Sequence, residues 1–218
     1  MKLVIFDVDG TLIDSQVMIV GAMAAAYGEE GLDCPDRAAV LSIVGLSLPV
    51  AMARLSPELP AARIERLVAA YKRDFAAQRV QETAPLYPGA RAAVQALGAR
   101  DDILLGIATG KSRRGLDHVL EAHRLSGWFI TRQVADDHPS KPHPSMLLAA
   151  LAETGAAQAV MLGDTSYDMD MARNAGLLGL GVAWGYHPPE LLTGAGAVAV
   201  LRDFAELPAA LDGVWRVA

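Results

Sequence analysis

Leu3-Val4-Ile5-Phe6-Asp7-Val8-Asp9-Gly10-Thr11 is the stretch on which the reading of this chain turns. An apolar strand runs into two carboxylates that lean to the same side, because strand side chains alternate faces, and Gly10 then permits a tight turn. Two acids so placed repel each other unless a cation lies between them. A divalent metal is the simplest balancing partner. Alone, Asp9-Gly10 also suits an ordinary turn, so the remaining strand ends carry the decision.

Beyond Thr83, short apolar runs at 103–108, 129–134, 159–162 and 178–182 alternate with stretches of helical periodicity. Helices are predicted to begin near Pro88, Ser112, Pro144, Tyr167 and Pro188. Apolar strands alternating with helices predict an α/β fold, a doubly wound, mostly parallel sheet with a Rossmann-like core. Right-handed crossovers carry the carboxyl ends of such strands to one edge, and ligands bind beyond that edge.

The block between Ser15 and Thr83 shows helical periodicity and no strand pattern. Val20, Met23, Ala24 and Tyr27 recur on one face, with Asp14 or Ser15 placed to cap the start. Ile64, Leu67, Val68, Tyr71 and Phe75 form a second stripe, bordered by Arg63, Glu65, Arg66, Lys72, Arg73 and Asp74. Pro35, Gly45, Pro49, Pro57 and Pro60 interrupt the pattern. The expected division is a catalytic core of 1–14 and 84–218, with a small α-helical cap, 15–83, inserted after the first strand. Hinges are expected near Ile13 to Ser15 and Thr83 to Pro88.

Composition narrows the class of function. With 52% hydrophobic residues and a net charge of -6, the 218-residue chain suits a folded protein, not a disordered one or a binder of nucleic-acid polymers. No run approaches the roughly 20 apolar residues of a membrane span. The single Cys34 forms no internal disulfide, and Asp7 interrupts the first apolar run before it could serve as a secretory core. A cytoplasmic setting is expected. Alanine-rich helices can pack within or between chains, so both a monomer and a homodimer stay open.

The strand ends collect chemistry. Thr109-Gly110-Lys111-Ser112 follows the run 103–108 and offers a hydroxyl and free amides, although by itself it suits a turn with Ser112 capping the next helix. Gly163-Asp164-Thr165-Ser166-Tyr167-Asp168 follows 159–162 and brings two more acids, of which Asp168 also suits a helix's first turn. Lys141, in Pro139-Ser140-Lys141-Pro142-His143-Pro144, would be an ordinary surface charge alone. Beside four carboxylates it supplies the fixed positive charge that a phosphoryl group needs.

Taken in order, Asp7-Val8-Asp9-Gly10-Thr11, Thr109, Lys141 and Gly163-Asp164-Thr165-x-x-Asp168 resemble the four motifs of the haloacid dehalogenase-like hydrolases. The resemblance spans essentially the whole chain and is nearest to the phosphoglycolate phosphatase-like branch. Ser140 departs from it, since relatives often carry glycine before the lysine. The resemblance implies a Mg2+-dependent phosphatase that hydrolyses a small phosphorylated metabolite through an aspartyl-phosphate, with 2-phosphoglycolate as a candidate. Asp7 would be the nucleophile and Asp9 the general acid and base. Asp7, the backbone carbonyl of Asp9, and Asp164 would hold the metal. Thr109, Gly110 and Lys141 would bind the phosphoryl group, and Asp168 would orient Lys141 or a metal-bound water.

The same motifs can serve a phosphosugar mutase, and a receiver-like phosphorylation-dependent binding module combines similar groups in a different order. Phosphonate cleavage would call for a cap amine, but Lys72 lies among charges and reads as solvated. The loop Val44-Gly45-Leu46-Ser47-Leu48, with Arg54 nearby, either faces the site or merely joins helices. The five histidines lack metal-ligand spacing and read as surface or loop residues. Trp184 and Tyr186 either border the pocket or pack against helices.

Overall fold

A computed structural model describes residues 1–81 and 83–217. Strand β1 (Lys2–Phe6) is followed by helices α1 (Gln16–Glu29), α2 (Arg37–Ser42), α3 (Leu48–Leu55) and α4 (Ala61–Gln81). The chain then alternates α5 (Ala90–Gly98), β2 (Ile103–Thr109), α6 (Arg113–Ala122), β3 (Thr131–Val134), α7 (Ser145–Thr154), β4 (Gln158–Gly163), α8 (Ser166–Asn174), β5 (Leu178–Val182), α9 (Pro189–Gly194) and β6 (Ala197–Leu201). A short 3₁₀ turn, Phe204–Glu206, leads into α10 (Leu207–Val217).

The six strands form one parallel sheet in the order β3-β2-β1-β4-β5-β6. The chain winds outward from β1 in one direction through β2 and β3, then crosses to the other side for β4, β5 and β6. That reversal makes the carboxyl end of β1 the switch point, where parallel sheets open a crevice. Lys2 pairs in register with Ile103 on one side and Gln158 on the other, so Phe6 lies level with Ile107 and Leu162. Asp7 therefore emerges between the ends of β2 and β4.

Alternation along β1 separates two apolar layers. Val4 and Phe6 join Val94, Leu97, Leu116, Val119, Leu211 and Val214, from α5, α6 and α10. Leu3 and Ile5 join Met146, Leu147, Ala150, Met171 and Ala172, from α7 and α8. Burial on both faces explains why β1 reads as a continuous apolar run.

Helices α1 to α4 close around a cluster of their own, with Ile19, Met23, Tyr27, Val40, Met52 and Leu67 buried in it. Glu82, within the expected range 15–83, lies outside the described residues. The two connections to this block run side by side. Asp14 N donates to Pro85 O and Tyr87 N donates to Leu12 O, each at 2.9 Å, and Ile13 bridges Leu86 in antiparallel fashion.

Apart from α10, which none of the expected helix starts covers, three features differ from the sequence expectation. The run 129–134 becomes a strand only from Thr131, because Phe129 turns inward to meet the Phe6 ring edge-on at 6.1 Å. Strand β6 was not expected; as an edge strand it leaves Val198 exposed and carries no buried alternation. Ser15 stands at the start of α1, yet its hydroxyl makes no capping bond.

Candidate active site

The floor of the site is assembled from four strand ends and the loops that leave them. Asp7 follows β1, Thr109 ends β2, Lys141 lies in the segment after β3, and Asp164 follows β4. Gly10 has a φ of +83°, which few side chains tolerate, and a Cβ there would fall 2.1 Å from Asp164 Oδ2. The turn thus folds tightly enough for Asp7 and Asp164 to share a space.

Asp7, Asp164 and Asp168 are buried, and each brings a carboxylate oxygen within 4.8 Å of the others. Lys141 is buried among them, with Nζ 2.9 Å from Asp7 Oδ1 and 2.6 Å from Asp168 Oδ1. The other Asp168 oxygen accepts from Thr165 N at 3.0 Å and Thr165 Oγ1 at 2.7 Å, closing a capping box on α8. Asp168 therefore both caps a helix and holds Lys141. Asp164 accepts from Thr11 Oγ1 at 3.0 Å and from Tyr186 N at 2.9 Å.

Electrostatics follow from this burial. Desolvation pushes the Asp7 carboxyl up to about 7; Lys141 draws it down, and Asp168 and Asp9 raise it. Asp164 is raised well above the carboxylate range, first by burial and then by the charges of Asp7 and Asp168. Burial works against the Lys141 ammonium, but Asp168 and Asp7 outweigh it and keep its pKa above that of an ordinary lysine.

This donor set fits a hard divalent cation. All the ligand atoms offered are carboxylate oxygens. Neither Asp7 oxygen takes part in a well-directed hydrogen bond among the described residues, despite the ion-pair distance to Lys141. Asp168 has the least to offer, since its two oxygens take three donors, the Lys141 ammonium among them, against two neutral donors on Asp164. Asp7 and Asp164 are the better-placed carboxylates.

Asp9 points elsewhere. Both of its oxygens are held by Lys111 Nζ, at 2.8 and 2.9 Å, and Oδ1 also accepts from the Ser15 hydroxyl. Ser15 Oγ lies 3.0 Å from Tyr186 Oη. The hydroxyl that looked like a helix cap instead positions Asp9. The motif resemblance assigns Lys111 no role; its sequence signal is a cation two positions beyond the residue that ends β2.

Thr109 is buried and Gly110 is closely covered. A Cβ at Gly110 would lie 2.7 Å from the carbonyl oxygens of both Gly45 and Leu46. The loop joining α2 and α3 thus rests on the turn that follows β2. Ser47 N donates to Ser140 Oγ at 2.8 Å, so the residue that departs from the family pattern ties that loop to the Lys141 segment. Tyr167 Oη donates to Ser42 O at 3.0 Å, and His187 Nε2 lies 3.0 Å from the same carbonyl. His187 is a loop residue, one of the two expectations for the histidines, but a buried one, and burial lowers its pKa.

A cavity of about 380 Å³ opens above this floor. Asp7, Asp9, Thr109, Gly110 and Lys111 line its base, and Ile19, Met23, Val44, Leu46, Leu48 and Phe75 form an apolar wall. The whole loop Val44 to Leu48 faces it. Lys72 lines it too while staying exposed. Arg54 instead lies over the Tyr167 ring, 5.5 Å from its centroid. Trp184 packs against Phe204 and donates to Thr11 O at 3.1 Å, a bracing role and not a lining one.

Residues 4–182 match the model of the haloacid dehalogenase-like hydrolases. The chain belongs to that family. A probable phosphatase of Dickeya dadantii, IndB, is 33% identical to this hydrolase over 221 residues, covering 99% of this chain and 95% of its own. A phosphoglycolate phosphatase of Rhodospirillum rubrum is 34% identical, with 94% and 89% covered. The crystal structure of a hydrolase from Pseudomonas syringae matches with a TM-score of 0.87 at 28% identity, over 98% of this chain and 99% of that one. Within the family, this hydrolase sits in the phosphoglycolate phosphatase-like branch. Among the described residues, no helix is long and apolar enough to cross a membrane.

Proposed function

We propose that this hydrolase is a Mg2+-dependent phosphatase that removes the phosphoryl group of a small monoester, 2-phosphoglycolate being the first candidate, through an aspartyl-phosphate. The observation that carries the reading is the pairing of two unlike carboxylates at one cavity floor. Asp7 has oxygens short of hydrogen bonds beside Lys141, whereas Asp9 is held apart by Lys111 and Ser15. Two acids in different environments suit two different roles.

In the first half-reaction an Asp7 oxygen forms a bond to phosphorus while the ester P–O bond breaks, and the leaving oxygen takes a proton from the Asp9 carboxyl. In the second, Asp9, now a carboxylate, removes a proton from water as that water attacks phosphorus. The bond to Asp7 breaks and inorganic phosphate leaves. Thr109 and the Gly110 amide hold phosphoryl oxygens, and Lys141 balances their charge and orients Asp7. Asp168 keeps Lys141 in place.

Asp7, the Asp9 carbonyl and Asp164 would hold the Mg2+, which when bound supplies the charge that lets an anionic carboxylate approach an anionic ester. Without that charge, burial keeps Asp7 partly protonated near neutrality. Residues 15–83 act as a cap that excludes water and meets the rest of the substrate. The named activities of the relatives support a small phosphorylated metabolite as substrate. The lone Cys34, which has no partner in the chain for a disulfide, supports a reducing, cytoplasmic setting.

The deciding experiment measures phosphate release from 2-phosphoglycolate, sugar phosphates, nucleotides and pyrophosphate, with and without Mg2+, beside Asp7→Asn. Release by the Mg2+-loaded wild type alone is expected. Equal release by Asp7→Asn would remove the nucleophile from the scheme. Isomerised phosphosugar without free phosphate would make the protein a mutase.

A further inference from the structure

We propose that Lys111 receives a second anionic group carried by the alcohol part of the substrate, so that this enzyme takes phosphate monoesters with a carboxylate or similar anion close to the ester oxygen. The proposal rests on the phosphatase reading above and deepens it.

The starting point is a conflict in the geometry. Lys111 Nζ spans both Asp9 oxygens, at 2.8 and 2.9 Å, and Ser15 takes a further site on Oδ1. If Asp9 is to hand a proton to the leaving oxygen, one of its oxygens must face that atom instead of the ammonium. Lys111 therefore has to release at least one contact as the substrate settles.

Release alone is unfavourable. The Lys111 side chain is only 8% exposed, its ammonium lies 5.2 Å from the Phe75 ring centroid, and the wall above it is apolar. An ammonium that leaves its carboxylate there, without water or a new anion, bears the cost of an unpaired buried charge. The neighbouring cation cannot take its place, because Lys141 is engaged by Asp7 and Asp168. An incoming anion on the leaving group removes the penalty and frees Asp9 in the same movement.

Placement limits how far that anion can lie from the reacting bond. Lys111 stands one residue beyond Gly110, beside the amide and hydroxyl assigned to the phosphoryl group, so its flexible stem sweeps only the space next to the ester. Lys72 and Arg114 line the same cavity, stay exposed and form no ion pair among the described residues. They favour the approach of an anion. A neutral alcohol would leave Lys111 on Asp9 and the acid blocked.

The test compares kcat/KM for 2-phosphoglycolate and its neutral isostere, 2-phosphoglycolamide, with Mg2+ present, in the wild type, Lys111→Gln and Lys111→Arg. The wild type is expected to prefer the carboxylate by about 10- to 100-fold, the worth of a charged hydrogen bond partly shielded from water. Lys111→Gln should bring the ratio below about threefold, and Lys111→Arg should restore most of it.

A wild-type ratio near one overturns the proposal and needs no variant to fold. So does an equal loss on both esters in Lys111→Gln, which would confine Lys111 to steadying Asp9. Absence of phosphate release from every ester would instead overturn the phosphatase reading itself, an outcome separate from hydrolysis without preference.

Discussion

The floor and the wall of the cavity are built on opposite principles. At the floor Asp7 reaches the cavity, and beneath it Asp164, Asp168 and Lys141 are almost wholly buried and linked to Asp7, to one another or to backbone amides. The strands beneath them are packed on both faces, so these groups have little freedom to move. The wall is a helical block whose apolar cluster takes in Tyr167 from the core, while its own Met18 joins the core's cluster, and polar contacts at Ser42 and Ser47 add to that seam. Chemistry that needs fixed charges lies on the rigid layer.

The sharpest way to break this contrast is at the nucleophile. Asp7→Asn should lower phosphate release by a factor of about 10⁴ or more, since no other described carboxylate occupies that position, while circular dichroism and melting show an intact fold. A variant that melts far lower would mean that Asp7 is as much a structural as a chemical group.

Lys141→Met should damage both activity and stability. It strands Asp7 and Asp168 without their shared cation, and breaking a buried pair of this kind costs about 3–5 kcal/mol. Urea unfolding would read that loss, and a change under about 1 kcal/mol would show that the carboxylates simply take up protons instead.

Metal and pH sharpen the same point. Asp7 and Asp164 both have raised carboxyl pKa values, so between the ordinary carboxylate range and about pH 7 it is through these two groups, and against His138 and His187 with their lowered values, that the folded, metal-free chain binds more protons than the unfolded one. Its stability should then fall as pH rises through that window. Melting in EDTA at pH 5 and pH 7.5 should show the fall, and Mg2+ should offset it at the higher pH. Equal melting in Mg2+ and EDTA would argue against these acids as ligands.

The smallest effect belongs to the contact between the two layers. Ser140→Gly removes the acceptor of Ser47 N, worth about 1 kcal/mol, and should raise KM about fivefold with kcat nearly unchanged. A fall in kcat instead would place Ser140 among the groups that align Lys141.

Much of the floor could be read along the chain because each of its groups sits where a predictable strand ends. Asp7, Thr109 and Asp164 follow apolar runs, and parallel winding must bring such ends to one edge. Asp168 was legible twice over, as a helix cap and as a partner of Lys141, and it does both. Of the two residues placed to cap α1, Asp14 accepts from Gln16 N, whereas the Ser15 hydroxyl meets a carboxylate six residues back; a serine before a helix looks the same in either case. Strand β6 escaped notice because an edge strand needs no buried stripe.

Local pattern alone was sufficient for five of the six strands, the order of the motifs and the residues at the strand ends, since burial periodicity and turn chemistry act over a few neighbours. Contacts between distant segments were not written there. Lys111 meeting Asp9 across 102 positions, Ser47 meeting Ser140 across 93 and His187 reaching Ser42 across 145 exist only once the helical block settles on the sheet. Such pairings depend on where two surfaces meet, and no periodicity in either segment encodes the angle at which they do.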